Sequence, residues 1–524
     1  MTIKSNNNLR RLLENRAREH GAKVFLFSEA DHRRWTYAEF DKAVNRAANM
    51  LSENGIAKGD VVSLLMPNSA EYIIAYFACF KIGAPAGPIN SLLKAEEIAF
   101  ALNNSEAKML LVHSQFQNAI DKIREDLPHL QNVIQFDNEA DATKSYAEKL
   151  AETEIGKGDE AIIIYTSGTT GKPKGCLLTH GNLIANARQI AEWLGFDEND
   201  RLLTIMPLFH MNAVSVTTMT ALYAGASTVV SPKFSASRFW QIVADYKITS
   251  FGSVATMLSM LLQKSDQQSA VSGQPENSHS AFRVPHSETL RFAMCGSAPV
   301  PAEVLRKFEE TFDCLVVEGY GLSESTCRST FNPPNTNRRP GSCGQPIGNE
   351  MKVFDEREEE VPDGELGEIV LRGENIFKGY FKNEEATRKA FQNGWFHTGD
   401  IGYRDADGFF YIADRKSDMI IRGGENIYPR EIDELLYTHP AVQSAAVIGV
   451  PDELYGEEVA AFVVLKDDAP SSQDDLINFC KQHLADYKCP KRIYFVADIP
   501  KGPTGKLLKR ELARIYAERK RLSD

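Results

Sequence analysis

From Trp35 to Phe251 the chain alternates short apolar runs with segments whose apolar residues recur at helical spacing. No other feature constrains the fold as much. Asp41 to Leu51 has the helical spacing, Asp60 to Met66 reads as a buried strand, and a further helix begins near Ser69. Strands separated by helices call for crossover connections, so the pattern predicts α/β layers around largely parallel sheets. With 524 residues, the chain exceeds what one hydrophobic core supports, and two or more domains are expected.

The pattern changes twice. Gln263 to Glu288 is rich in Ser, Gln, Asn and His and nearly lacks aliphatic residues, which predicts a mobile surface insertion. After Trp395, Gly402 to Ile412 alternates around Asp407-Gly408, a hairpin signal. Asp414 to Asp418 is a polar junction, followed by a compact α+β pattern. That pattern comprises Met419 to Ile421, a Gly423-Gly424 turn, a helix opened by Pro429, strands around Val447 and from Ala460 to Leu465, a helix from Gln473 and a strand from Arg492. A basic amphipathic helix carrying Leu507, Leu508, Leu512 and Ile515 would end the chain. The expected architecture is multidomain α/β. Residues 1–415 form a large N-terminal domain of layered α/β subdomains plus a β-barrel-like part, and residues 416–524 a small mobile α+β domain.

A formal charge of -12 argues against general binding to nucleic acid or anionic membranes, while leaving room for a local basic pocket. The run Tyr72 to Phe80 is lipid-like, but it stops at Lys81 and is too short to span a bilayer. The first residues lack the apolar core of a signal peptide, and the eight cysteines include no C-x-x-C pair. A reduced, cytoplasmic protein is expected, without a transmembrane segment and with a homodimer left open.

The chemistry is concentrated in a few segments. Ala161 to Ile164 reads as a strand and runs into Thr166, Ser167, Gly168, Thr169, Thr170, Gly171, Lys172 and Lys174. Glycines let backbone N–H groups turn toward an anion, hydroxyls add donors and the lysines add charge, so the loop suits a polyphosphate. It is not the usual P-loop, because Pro173 stands where the second glycine would fall. The alternative is a flexible polar surface loop. Cys314 to Val317 is a second strand, leading to Gly319, Tyr320, Gly321, Ser323 and Glu324. A carboxylate at a strand end can hold Mg²⁺, which takes oxygen ligands and travels with nucleotide phosphates, although such a residue alone is more often solvated.

These segments, in this order and spacing, resemble the signatures of the AMP-forming adenylating enzymes, a group that includes acyl-CoA synthetases, and the resemblance covers essentially the whole chain. It implies that the loop from Thr166 to Lys174 binds ATP phosphates, that Glu324 is the metal ligand and that Tyr320 packs on adenine. Ser323 stands where the family has Thr and keeps its hydroxyl. Gly296, Ser297 and Ala298 resemble the adenine-pocket segment, Asp400 the ribose acceptor and Arg415 the ribose and phosphate contact at the junction. His210 resembles the residue guarding the acyl and thiol channel, and Lys506 the catalytic lysine. Gly423 and Gly424 would enter beside the pantetheine channel when the small domain rotates; Ser417 replaces the usual Asp or Lys hinge.

The resemblance implies an ATP-dependent carboxylic acid–CoA ligase that uses ATP, Mg²⁺ and coenzyme A. Phe234 to Trp240 and the Asp-Gly hairpin resemble the crotonobetaine/carnitine-CoA ligase branch, with fatty-acyl ligases next, so fatty acid or carnitine metabolism is the expected setting. Alternatives are a stand-alone adenylating enzyme with another acceptor and a non-catalytic protein of the same fold. Arg328 could face the acyl site and favour a second anionic group, or be solvated or structurally paired.

Overall fold

The computed structural model describes residues 7–166, 173–272, 289–296, 300, 302–466, 469–501 and 507–523. A large N-terminal domain and a small C-terminal domain make up a mixed α/β protein. The apolar runs of the first half are central strands of two sheets. In the seven-stranded sheet, Asn132–Gln135, Met109–Val112, Val62–Leu65, Ala86–Pro88 and Glu160–Thr166 lie side by side and parallel. In the nine-stranded sheet the parallel strands are Val24–Ser28, Ser227–Val230, Arg201–Thr204, Ser250–Ser253, Phe292–Cys295 and Leu315–Tyr320. Strands covered on both faces can be apolar at every position, which is why they read as unbroken runs.

Between the two sheets lies the helix Ala70–Ile82, whose thirteen residues are all buried. Ser69 caps its start by accepting from Tyr72 N–H, and Gly83, at φ 72°, ends it. The run that looked lipid-like is therefore a core helix. Its Lys81 is buried too, held by Asp41 at 2.5 Å and Asn45 at 2.6 Å. No helix among the described residues is long and apolar enough to cross a membrane, and the eight cysteines are unpaired.

The part expected to be barrel-like is a five-stranded antiparallel sheet, including Gly367–Arg372, Trp395–Arg404 and Phe410–Arg415. The small domain is a second five-stranded sheet in which Gly456–Leu465 pairs with Val442–Asp452. Its Gly423-Gly424 turn, with φ of 59° and 92°, joins the strands Ile420–Arg422 and Glu425–Ile427. Two successive residues at positive φ are what a tight hairpin of this kind requires. Two expectations need correction. The helix Ala255–Ser272 runs through the first part of the supposed insertion, because Gln and Ser tolerate a helix that tertiary context completes; residues 273–288 lie outside the described residues. The last helix starts at Lys509, so Leu507 and Leu508 precede it.

Candidate active site

The carboxyl ends of parallel strands are where open α/β sheets bind ligands, and Thr166, Gly296 and Tyr320 fall there. Tyr320 is the last residue of the strand Leu315–Tyr320. Its hydroxyl donates to Asp400 Oδ2 at 2.5 Å, and Asp400 Oδ1 lies 2.8 Å from Arg415 Nε. Asp400 and Arg415 are register partners across two antiparallel strands, and the Asp400 amide is fixed by Thr398 Oγ1 at 3.0 Å. Burial pushes the Tyr320 phenol far above its usual range, and the Asp400 charge adds to the effect, so Tyr320 stays a donor. Burial works to depress the Arg415 guanidinium, but Asp400, Tyr320 and Glu324 outweigh it and hold the group above its ordinary value.

Glu324 sits in the single turn Ser323–Ser325, just past that strand. Oε1 accepts from the Tyr380 hydroxyl at 2.9 Å, and the main-chain oxygen accepts from Phe377 N–H at 2.8 Å. Lys174 Nζ lies 5.1 Å from the centre of the Tyr380 ring, and Thr166 Oγ1 donates to the Lys174 carbonyl at 3.5 Å. Burial first, then the Glu324 charge, drives the Tyr380 phenol upward. The structure thus brings Thr166, Lys174, Tyr320, Glu324, Asp400 and Arg415 together where the three sheets of the large domain meet. Tyr380 belongs to this group but was missed in the sequence, where Gly379-Tyr380 is a two-residue strand with no periodic signal.

Glycines make the close approaches. A β-carbon at Gly319 would lie 2.5 Å from Phe331 Cδ1, one at Gly296 would lie 2.6 Å from Arg328 Nη2, and one at Gly321 would overlap the Cys327 carbonyl. His210 lies in the turn before the π-helical segment Asn212–Met219, its ring 4.6 Å from that of Phe209. Its Nε2 is enclosed and unpartnered, and burial lowers its pKa to about 4, so the imidazole is neutral at ordinary pH. The small-domain hairpin is held locally, with Gly423 N–H donating to the Tyr455 carbonyl at 2.9 Å. Ser167, Gly168, Thr169, Thr170, Gly171, Lys172, Ser297, Ala298 and Lys506 lie outside the described residues. The feet of the Lys506 loop are described. Lys501 and Leu507 form an antiparallel bridge, and Leu508 N–H donates to the Pro500 carbonyl at 2.9 Å.

A carboxylate and an arginine are thus paired across two strands, with a tyrosine and a second carboxylate at an adjoining strand end. The family described as AMP-binding enzyme matches residues 13–381, and that described as AMP-binding enzyme C-terminal domain matches residues 431–506. The chain belongs to this family of adenylate-forming enzymes, among its acid–CoA ligases. It is 34% identical to the oxalate–CoA ligase of Arabidopsis thaliana, over 92% of this chain and 94% of that protein. It is 36% identical to the long-chain-fatty-acid–CoA ligase FadD13 of Mycobacterium tuberculosis, over 92% and 93%. With the crotonobetaine/carnitine–CoA ligase of Escherichia coli it shares 34% identity over 98% of this chain and all of that one. Among solved structures, ATP-bound MatB from Rhodopseudomonas palustris superposes with a TM-score of 0.89 at 30% identity, covering 98% of this chain and 99% of that chain.

Proposed function

We propose that the protein joins a carboxylic acid to coenzyme A in two half-reactions at one site. A carboxylate oxygen attacks the α-phosphorus of ATP, the bond to pyrophosphate breaks, and acyl-AMP forms. The thiol sulfur of coenzyme A then attacks the acyl carbon, losing its proton, and AMP leaves. The observation that carries this reading is the Tyr320–Asp400–Arg415 chain beside Glu324, which offers a ribose acceptor, a phosphate cation and an aromatic wall in one place. In this reading Asp400 accepts from the ribose hydroxyls, Arg415 and Lys174 face the phosphates, and Ser323 donates to the α-phosphate. Membership of the family supports ATP and coenzyme A as substrates.

Glu324 suits a divalent cation: it is an oxygen donor only partly enclosed, with one oxygen engaged by Tyr380. No cluster of three such donors occurs among the described residues, so the remaining ligands would come from phosphates and water, the usual habit of Mg²⁺. Bound there, the ion would neutralise charge on the leaving pyrophosphate. The junction after Arg415 is the pivot in this reading, with residues 416–524 turning between the half-reactions to withdraw Lys506 and admit the Gly423-Gly424 hairpin. His210, neutral and unpartnered, would line the acyl and thiol channel. The absence of disulfides fits a cytoplasmic enzyme.

The test is a pyrophosphate-release screen over carboxylic acids, with and without coenzyme A, followed by mass spectrometry. Acyl-CoA and AMP are expected; ADP and phosphate would refute the reading. Lys506→Ala separates the steps: adenylation should fall about a hundred-fold or more, because a preorganised charge is lost, while thioester formation from supplied acyl-AMP is spared. Equal losses in both steps would remove Lys506 from the chemistry.

A further inference from the structure

Among the described residues Arg328 is the largest fully buried side chain, at 1% exposure, and none of them is an acidic partner for it. Among the described residues its Nε and Nη2 meet no hydrogen-bond acceptor, and Nη1 makes a 3.4 Å contact with the Cys327 carbonyl. The guanidinium carbon lies 5.5 Å from the Phe331 ring centre. A guanidinium does not shed its proton, and a charge taken out of water without a counter-charge is costly. Nothing local explains that cost. The hairpin is already held through its backbone: Asn186 Nδ2 donates to the Arg328 carbonyl at 2.6 Å, and Ser215 Oγ donates to Asn186 Oδ1 at 2.9 Å.

The location of the free nitrogens supplies the explanation. Gly252 is in register with Met294, and Met294 with Val317. Side chains two residues apart share a face, so Gly252, Gly296 and Gly319 lie on one face at the carboxyl ends of three adjacent strands, where their missing side chains let Asn212, Arg328 and Phe331 approach closely. A β-carbon at Gly296 would lie 2.6 Å from Arg328 Nη2, and one at Gly252 would lie 2.8 Å from Asn212 Oδ1. Asn212 is also buried, and both its amide oxygen and nitrogen are unpartnered. Two orphaned polar side chains therefore stand over the same face, at neighbouring strand ends, one residue before the Ser297 segment and beside the turn that carries Glu324.

We propose that Arg328 receives a second anionic group on the acid substrate, with Asn212 as a companion donor, so that the enzyme selects dianionic organic acids. The planar fork of a guanidinium matches a carboxylate or sulfonate, and the incoming anion supplies the counter-charge that the folded chain lacks. A plain alkyl acid would leave the fork unpaired and desolvated. This inference rests on the acid–CoA ligase reading.

The experiment uses the full chain with matched acids, succinate against butanoate and sulfoacetate or malonate against propanoate, scored by kcat/KM for pyrophosphate release. The parent should prefer the dianionic member of each pair by about 100-fold or more, as sites built around buried polar groups do. Arg328→Met should abolish that preference, and Arg328→Lys should retain part of it. Because the arginine is unpaired in the free protein, Arg328→Met should not lower the melting temperature. A parent that prefers monoacids overturns the inference and leaves the ligase reading intact; so does an Arg328→Met that slows both members of a pair equally. If no acid supports pyrophosphate release, the ligase reading fails, and calorimetric titration with succinate decides the inference. Binding to the parent that is weakened in Arg328→Met upholds it, and no binding to the parent overturns it.

Discussion

Glu318 shows how a single carboxyl beside the site acquires a pH signature. It is buried one residue before Gly319, and its Oε2 accepts from Gly341 N–H at 3.0 Å. Burial pushes its pKa up to about 7, against the pull of that amide and of Arg338 and Arg430, with Glu309 adding to the rise. The folded state therefore holds a proton that the unfolded chain releases above its ordinary carboxyl pKa of 4.5. More protons bound in the folded state means that stability falls as pH rises through that window. Across the whole shift the loss is about 3 kcal/mol at about 1.4 kcal/mol per pKa unit. Glu318→Gln keeps an acceptor for Gly341 and cannot titrate, so its denaturation midpoint should gain on the parent's between pH 5 and pH 7.5. Parallel profiles for the two proteins would show that Glu318 is ionised throughout.

At the scale of elements, the small domain fastens the segment that follows Lys506. The helix Pro429–Tyr437 presents Asp433, whose Oδ1 accepts from Val447 N–H at 2.6 Å and whose Oδ2 lies 3.0 Å from Lys509 Nζ. Lys509 opens the final helix, three residues past Lys506, and burial pushes the Asp433 carboxyl up even beside that lysine. Asp433→Asn keeps the amide contact and drops the charge pair. Adenylation should then slow about ten-fold, roughly 1.4 kcal/mol on the barrier, with transfer from supplied acyl-AMP unchanged in single-turnover assays. Unchanged adenylation would mean that the bridge at Lys501 and Leu507 is enough to set the loop. Elements of this kind were legible in the sequence when their signal was local. Ile162 to Ile164 and Val62 to Leu65 read as strands because both faces are covered, and Gly423-Gly424 read as a turn because the backbone demands glycine. Asp400 and Arg415 were read as motif residues and the Asp407-Gly408 hairpin between them was read as well, but the register shift at Ile401 and Gly402 that sets them directly opposite has no local sequence signal. Tyr380 and the solitary burial of Arg328 were not legible, since both arise from packing between segments distant in sequence. Residues 263–272, the later part of the helix Ala255–Ser272, were misread as insertion because polar residues of adequate helix propensity look like a loop when their neighbours are out of view.

For the whole molecule, the question is how two domains share one site. Phe410–Arg415 ends the large domain's antiparallel sheet, and a tight turn follows at once, with Asp418 N–H donating to the Arg415 carbonyl at 2.9 Å. Lys416 is tied back: its N–H donates to the Gly399 carbonyl at 2.8 Å, and its Nζ lies 3.1 Å from Glu368. Arg430 of the small domain reaches across, with its N–H donating to Asp414 Oδ2 at 2.8 Å and its guanidinium to the Ile412 carbonyl. A pivot among such contacts must give at the residue with the fewest, and among the described residues Ser417 has a single 3.1 Å side-chain contact, to its neighbour Asp418. Ser417→Pro fixes φ at the third position of the turn and restricts Lys416 before it. If the domain turns there between half-reactions, the variant should form acyl-AMP within a few-fold of the parent rate. It should pass the acyl group to coenzyme A at least about ten-fold more slowly, as a conformational step becomes limiting. Single-turnover formation of acyl-AMP, followed by chase with coenzyme A, reads the two steps separately. Ser417→Ala is the control, since it removes the Asp418 contact and leaves φ free; it should match the parent in both steps. Transfer by Ser417→Pro at the parent rate would exclude Ser417 as the pivot. Equal loss of both steps, with a lowered melting temperature, would instead mark the turn as a structural corner, because proline is disfavoured at that turn position whether or not the domain moves.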